Sequence, residues 1–160
     1  MAILLNDEEI GLLLQERKSL PTGYRSLLQL RGKRGHRERD LEVKSATGNR
    51  FRLILRQSEL NPLDFSVILG HMPRASSRVF RLRRYNGKSH EHTNVLERLT
   101  FYNFHIHTAT ERYQDIGQKE DSFAESTDRF SDFEGALQCL FEDCGFEVPE
   151  EKQASLFQLD

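Results

Sequence analysis

The sequence contains no hydrophobic run that approaches the roughly 18–20 residues of a membrane-spanning helix, so we predict no membrane segment. It contains only two cysteines, Cys139 and Cys144, five positions apart in one predicted helix and therefore on different faces, which argues against a disulfide. No cationic segment precedes the acidic residues at positions 7–9, so no signal peptide is expected. Together these absences predict a cytoplasmic protein with reduced thiols.

Several motifs that would name a function are also missing. We find no aromatic signature of RNA-recognition domains, no zinc-finger spacing, no glycine-rich phosphate loop and no Gly-x-Ser-x-Gly nucleophile elbow. The function therefore has to be inferred from clusters of side chains.

The composition indicates one globular domain with an uneven charge distribution. The chain has 160 residues, of which 37% are hydrophobic and 30% charged, enough for one core but not for two comfortable domains. Residues 1–110 carry 19 Lys and Arg against 11 Asp and Glu, whereas residues 111–160 carry 4 against 14. We predict a single domain over residues 1–146 and an acidic tail over residues 147–160. The two charged parts either neutralise each other or face different partners.

Helical signals at both ends and strand signals between them define the fold class. Asn6 with Glu9 forms a capping-box pattern, and Ser131 with Glu134 forms a second one. Residues 50–56 alternate hydrophobic and basic side chains, as in a half-buried strand. We predict an α+β fold: a single, mainly antiparallel β-sheet of five or six strands, with an N-terminal and a C-terminal helix packed on one face.

Two predicted strands present arginines on one face. A phosphate-tracking surface with Tyr85 as a stacking residue is one interpretation, and a solubilising sheet surface is the other. In residues 79–85, Phe80 and Leu82 are expected to face the core. The candidate nucleic-acid-binding residues are Arg50, Arg52, Arg56, Arg81, Arg83 and Tyr85.

Four of the six histidines fall between residues 90 and 107. In a long strand predicted over residues 101–112, side chains alternate, so Tyr102, Phe104 and Ile106 should face the core. Asn103, His105 and His107 should then share the opposite face. A connecting loop could bring His90 or His92 close to them.

This cluster has three interpretations. The histidines could hold a zinc ion, because two His-x-His pairs can supply its ligands. They could perform metal-independent acid–base chemistry on RNA, since histidine titrates near neutrality and a neighbouring cation could stabilise the phosphate. They could also be ordinary surface residues. The candidate catalytic residues are His105, His107, Arg112, Tyr113, Lys88 and His92.

Three segments, residues 84–94, 104–113 and 135–146, together resemble a bacterial domain family of unknown function. The resemblance covers roughly residues 45–146 and implies a bacterial origin, without an activity, substrate or catalytic residue.

The sequence thus supports two functional hypotheses. The first is a small nucleic-acid-processing protein, a toxin-like ribonuclease that acts through His105 and His107. We expect it to need no cofactor, and the alternative is that it binds zinc. The second is a non-catalytic binding protein, such as a phage-encoded or defence-linked inhibitor. It would contact nucleic acid, RNA in first place, through the basic sheet face, or a protein partner through its acidic portion.

Overall fold

The computed structural model of the chain describes residues 4–150 and is an α+β fold. None of the helices in this range is long and apolar enough to cross a membrane. Within this range the helices are α1 (Asp7–Gln15), α2 (Tyr24–Leu27), α3 (Glu111–Asp115) and α4 (Phe133–Asp143).

A large antiparallel sheet forms the centre of the fold. Its strands lie in the spatial order β10-β9-β6-β5-β4-β3-β2, which gives seven strands where the sequence predicts five or six. The strands are β2 (Arg31–Lys33), β3 (His36–Lys44), β4 (Arg50–Ser58), β5 (Phe65–Met72), β6 (Phe80–Asn86), β9 (His105–Thr108) and β10 (Ala124–Ser126).

Two pairs of short strands lie outside this sheet. The first pair is parallel and joins β1 (Lys18–Ser19) to β11 (Phe146–Glu147). The second is the antiparallel hairpin of β7 (His92–Asn94) and β8 (Leu99–Phe101). The first pair thus brings an N-terminal and a C-terminal segment together. The second pair is a separate hairpin.

One face of the sheet forms the hydrophobic core. Leu53, Leu55, Val67 and Leu69 of the two central strands are fully buried, because alternate side chains of a strand point to the same face. Helix α4 packs against β5 and β6, and α1 against β6. Their buried residues join the same cluster, namely Ile10, Leu14, Ala136, Leu137, Leu140 and Phe141.

In the predicted strand over residues 79–85, the faces assigned to Arg83 and Tyr85 are wrong. A register shift opposite Leu69 and Gly70 pairs Arg83 with the inward-facing Leu69, so Arg83 does not share a face with Arg81. Tyr85 is fully buried and donates a hydrogen bond to Asp143 over 2.6 Å. It therefore cannot stack on a nucleic-acid base.

The long strand predicted over residues 101–112 is also wrong. The chain forms β8, turns, continues as β9 and enters α3 after Thr110, which caps this helix by accepting from Tyr113 N. Tyr102 lies in the turn and is 47% exposed, whereas Phe104 and Ile106 pack against the core as predicted. The acidic segment that follows contains β10.

The helix caps agree with the sequence at one end of the chain and differ at the other. Asn6 and Glu9 form both hydrogen bonds of the capping box. In α4, however, the cap is Asp132, whose side chain accepts from Gly135 N over 2.7 Å, and not Ser131. Of the predicted acidic tail, residues 151–160 lie outside the described part of the chain.

Lys18 joins the ends of α1 and α4. Its side chain is completely buried, and its Nζ lies 2.7–3.1 Å from four backbone oxygens, those of Leu13, Leu14, Glu16 and Cys144. Since the last carbonyls of a helix have no partner within the helix, one ammonium group satisfies orphan acceptors of both helices.

Two aromatic rings, those of Phe51 and Phe146, also lie beside this ammonium group. Nζ lies 4.5 Å from the centroid of the Phe51 ring, and burial lowers the pKa of Lys18 to about 8. Gly145 allows the close approach: it has φ of +72°, and a Cβ there would lie 2.6 Å from Glu16 O. Both the positive φ and the close contact with Glu16 O therefore require a glycine after α4.

We expect Lys18→Met to destabilise the fold by about 3 kcal/mol or more, because four buried carbonyl oxygens would lose their donor. Arg17→Met is the matched control, since Arg17 is 81% exposed and makes only a 3.8 Å ion pair with Glu147. The measurement is urea unfolding of both variants. Equal midpoints for the two variants would show that Lys18 does not hold the helices together.

We also expect Asp132→Ala to cost about 1 kcal/mol through loss of the cap of α4, whereas Ser131→Ala should cost almost nothing. The two neighbouring substitutions test which residue begins the helix. Thermal melts of both variants give the comparison, and the reverse order of stability would contradict the assigned cap.

Candidate functional site

Strands β6 and β9 present a polar group of side chains on the face of the sheet opposite the core. In the antiparallel register Asn86 lies opposite His105, and Arg84 opposite His107. The residues between them, Tyr85 and Ile106, point to the core. His105 and His107 therefore face away from the hydrophobic core, which follows from strand alternation as the sequence analysis predicted.

These two histidines are nevertheless buried, which speaks against the third interpretation, that they are ordinary surface residues. His105 is 0% and His107 3% exposed, because the β7–β8 hairpin covers their face of the sheet. The hairpin brings His92 next to both: its ring centroid lies 5.5 Å from that of His105 and 4.8 Å from that of His107. His90 is more distant, with its ring centroid 6.1 Å from that of His105.

One ring nitrogen from each of His92, His105 and His107 lies within 4.8 Å of the other two. Three imidazoles that converge in this way are a donor set that could hold a metal ion. Which nitrogen of each ring is available depends on the hydrogen bond that the other nitrogen makes.

Asn94 fixes the orientation of His92. Its side-chain Nδ2 donates to Ala124 O over 2.7 Å, and its Oδ1 accepts from Ala124 N over 3.0 Å. The amide thus pairs with the backbone of β10 and anchors the hairpin there. Because Oδ1 is an acceptor, His92 Nε2, 2.8 Å away, must be the donor. The lone pair of His92 is then on Nδ1.

The two buried histidines are oriented by backbone carbonyls. His105 Nδ1 lies 2.7 Å from Asn103 O, and His107 Nδ1 lies 2.7 Å from Asp121 O. A carbonyl only accepts, so both Nδ1 atoms carry the proton and both Nε2 atoms carry the lone pair.

Burial keeps these imidazoles neutral. It lowers the pKa of His105 to about 4 and the pKa of His107 to about 2, and the positive charge of Arg84 acts in the same direction. At pH 7 both rings are therefore unprotonated bases with an available nitrogen lone pair.

A buried carboxylate supports the cluster from one side. Asp121 is 0% exposed, and its oxygens lie 3.4 Å from Arg81 Nη2 and 3.1 Å from Arg84 Nε. Its backbone oxygen is the acceptor that orients His107. The two arginines thus hold in place the residue that fixes the tautomer of His107.

A cleft of about 230 Å³ opens beside the histidines. Its lining is mostly polar and includes one cation, the guanidinium of Arg84. The lining residues that bear on the site are Arg84, Asn86, His90, His92, His107 and Tyr113. A larger cleft of about 820 Å³, between α2 and α4, is lined by hydrophobic side chains such as Leu28 and Phe133 and lies apart from the histidines.

The structure brings together only part of the predicted catalytic set. His105, His107 and His92 converge, and Tyr113 lines the cleft, where its hydroxyl donates to Glu97 over 2.5 Å. Arg112 forms a 2.6 Å ion pair with the same Glu97 and is not among the residues that line the cleft. Lys88 is exposed and likewise does not line it.

The predicted nucleic-acid-binding arginines are largely occupied by acidic or carbonyl partners. Arg52 lies 3.5 Å from Asp40, and Arg56 lies 3.9 Å from Glu38 on the neighbouring strand. Arg50 donates to the carbonyl oxygens of Pro73 and Ser76, and Arg81 approaches Glu120 and Asp121. Intramolecular neutralisation therefore accounts for much of the basic character of this face.

Sequence reasoning missed Arg84, Asn86, Asn94 and Asp121. Asn86 precedes Gly87, and an Asn-Gly pair indicates a turn, so the sequence does not predict that Asn86 belongs to a strand at the site. Asn94 could not be found from the sequence, because its role depends on pairing with a distant strand. Asp121 could not be found either, because its carboxylate is buried only in the folded chain.

No protein family, characterised protein or solved structure was found to match this chain. The resemblance of residues 45–146 to a bacterial domain family therefore stays a prediction.

The hydrogen bonds assign a tautomer to each ring, and NMR can check it. We expect long-range ¹H–¹⁵N spectra of the metal-free protein to show His105 and His107 protonated on Nδ1 and His92 protonated on Nε2. Because the pKa of both buried rings is lowered, to about 4 and about 2, His105 and His107 should stay neutral between pH 7 and pH 5. His→Gln variants assign the signals, and a protonated His107 at pH 6 would contradict the geometry.

Proposed function

We propose that this protein binds a divalent transition-metal ion, zinc in first place, through His92, His105 and His107. The observation that carries the proposal is the convergence of one ring nitrogen from each of these residues within 4.8 Å. Three imidazole nitrogens suit zinc and its neighbours in the first transition row better than magnesium or calcium, which prefer oxygen ligands.

The tautomers support this assignment. Histidines that ligate metals commonly donate their other ring N–H to a carbonyl or a similar acceptor, which fixes the ring and raises its basicity. Each of the three rings has such a partner, namely Asn94 Oδ1, Asn103 O and Asp121 O. The lone-pair nitrogens left for an ion are His92 Nδ1, His105 Nε2 and His107 Nε2.

The spacing requires a small closing movement. Ligands about 2.0–2.1 Å from a tetrahedral ion lie about 3.3–3.4 Å apart, so ring nitrogens separated by up to 4.8 Å have to approach each other by roughly 1.4 Å at most. Two of the histidines belong to the central sheet, whereas His92 belongs to the hairpin. We infer that the hairpin moves and that the ion fastens it to the sheet.

The chemistry that such a site supports is metal-assisted hydrolysis. Zinc sites with three protein ligands leave further coordination positions, and zinc acts there as a Lewis acid on a substrate oxygen. Arg84 lines the cleft beside the histidines but is paired with Asp121, so the bound ion would itself supply the positive charge that favours an anionic substrate. A phosphodiester, as in RNA, has the required charge, so nucleic-acid processing remains our proposal for the substrate class.

Two earlier hypotheses are less well supported. A metal-independent ribonuclease needs one histidine protonated at the start as the general acid, but burial lowers the pKa of both His105 and His107 well below neutrality. A nucleic-acid-binding sheet face needs available arginines, but Arg52 and Arg56 already lie beside Asp40 and Glu38. A protein partner of the acidic portion, residues 111–160, stays a prediction.

Calorimetric titration with Zn²⁺ tests the metal site. We expect one ion per chain in the wild type, and a loss of affinity of at least a hundredfold in His105→Ala and His107→Ala. His36→Ala is the control, since His36 lies on β3, far along the sheet, and should not alter binding. Zinc should also raise the melting temperature of the wild type, because an ion that binds only the folded state stabilises it.

The substrate class is tested with the same proteins. Zinc-loaded wild type should cleave a short RNA or an activated phosphodiester, and zinc-treated His107→Ala should not. Zinc affinity that is equal in the wild type and in both histidine variants would rule out the site. Tight zinc binding without cleavage would leave a metal-binding protein whose substrate is not a phosphodiester.

A further inference from the structure

A fourth polar side chain lies at ligand distance from the histidine cluster. Asn86 is 3% exposed, stands opposite His105 in the β6–β9 register and lines the same cleft. Its Nδ2 lies 3.5 Å from His105 Nε2, and its Oδ1 accepts from Ser66 Oγ over 2.9 Å. A buried amide is thus aimed at the nitrogen that the proposed function assigns to the metal.

The separation is the one that two ligands of the same ion require. A tetrahedral zinc ion with bonds of about 2.0–2.1 Å holds its ligand atoms about 3.3–3.4 Å apart. The amide atom of Asn86 that faces His105 Nε2 is 3.5 Å away, without any movement of the backbone. Asn86 and His105 belong to paired strands of the central sheet, so this distance is set by the sheet.

The orientation of the amide has to change with the metal. In the metal-free arrangement Nδ2–H faces the lone pair of His105 Nε2, which is the only hydrogen-bonding role left to that nitrogen. A metal ion takes this lone pair and would then face an N–H group. Rotation of the amide by about 180° removes the conflict: Oδ1 then faces the ion, and Nδ2 donates to Ser66 Oγ.

We propose that Asn86 is the fourth protein ligand of the metal and that its amide rotates when the ion binds. This inference rests on the proposed metal site. It assigns an N₃O donor set of three imidazoles and one neutral amide oxygen, which leaves the positive charge of the ion undiminished. A substrate oxygen would then enter as a fifth ligand, an expansion that catalytic zinc sites allow. Ser66 is a positioning residue, because its hydroxyl can donate to Oδ1 before rotation and accept from Nδ2 after it.

NMR of the wild type observes the rotation directly. The side-chain NH₂ protons of Asn86 should show contacts to the His105 ring in the metal-free protein. After one equivalent of Zn²⁺ they should show contacts to the Ser66 methylene group instead. Unchanged contacts in a zinc-saturated protein would overturn the rotation.

Variants test the ligand itself. We expect Asn86→Leu to weaken Zn²⁺ binding about tenfold to a hundredfold and to change the visible absorption of the Co²⁺-loaded protein, which reports coordination number. Asn86→Asp, nearly isosteric and anionic, should bind more tightly and keep the wild-type cobalt spectrum. Asn61→Leu is the matched control, because it is the same substitution at an exposed asparagine that does not line the cleft.

The outcomes separate this inference from the proposed function. If the wild type binds zinc, His105→Ala does not and Asn86→Leu matches the wild type in affinity and cobalt spectrum, the metal site stands and Asn86 is not a ligand. If the wild type itself fails to bind zinc, both are overturned. Should Asn86→Leu not fold, Asn86→Asp and the NMR contacts decide.

Discussion

The buried ammonium group of Lys18 connects the two ends of this fold. An unpaired charge in a protein interior costs several kcal/mol, and the carbonyl groups at a helix C-terminus are costly to bury for the same reason. Lys18 offsets both costs at once, since its Nζ lies 2.7 Å from both Glu16 O and Cys144 O. The parallel pair of β1 and β11 lies at the same place. Helix α4 in turn packs against β5 and β6, so β6 is supported on its core face while its other face carries the candidate site.

The candidate site depends on the two-sidedness of β6 and β9. Tyr85 and Ile106 are bound into the core, so the residues beside them must point the other way, which places Asn86 with His105 and Arg84 with His107. A one-residue slip of β9 against β6 would send the imidazoles into the core, and the same slip of β6 would turn the ring of Tyr85 outward. The tight packing of the hydrophobic face thus fixes the geometry of the polar face, because β6 and β9 contribute side chains to both.

The sequence predicts the local features of this protein well and its long-range features poorly. The capping box of Asn6 and Glu9 depends on residues three positions apart, and strand alternation correctly sends His105 away from Ile106. The register shift opposite Gly70 is a property of two paired strands, so the burial of Tyr85 could not be predicted from β6 alone. For the site, the sequence identifies the three histidines but not that the hairpin covers them, because Asn94 anchors it to a strand 30 positions away.

Burial of the histidines is the feature that a purely structural role explains least well. A sheet face that only needs to stay soluble would expose its imidazoles, whereas here a hairpin covers His105 and His107 and lowers the pKa of both. Covering polar groups costs free energy unless each is hydrogen-bonded, and within residues 4–150 the buried Nε of Arg84 and both carboxylate oxygens of Asp121, beside His107, make ion pairs but no hydrogen bond. Local features that oppose stability concentrate at functional sites. The rings of His105 and His107 are uncharged and held in defined tautomers, and a metal ion between them and His92 would turn this unfavourable arrangement into a stable one.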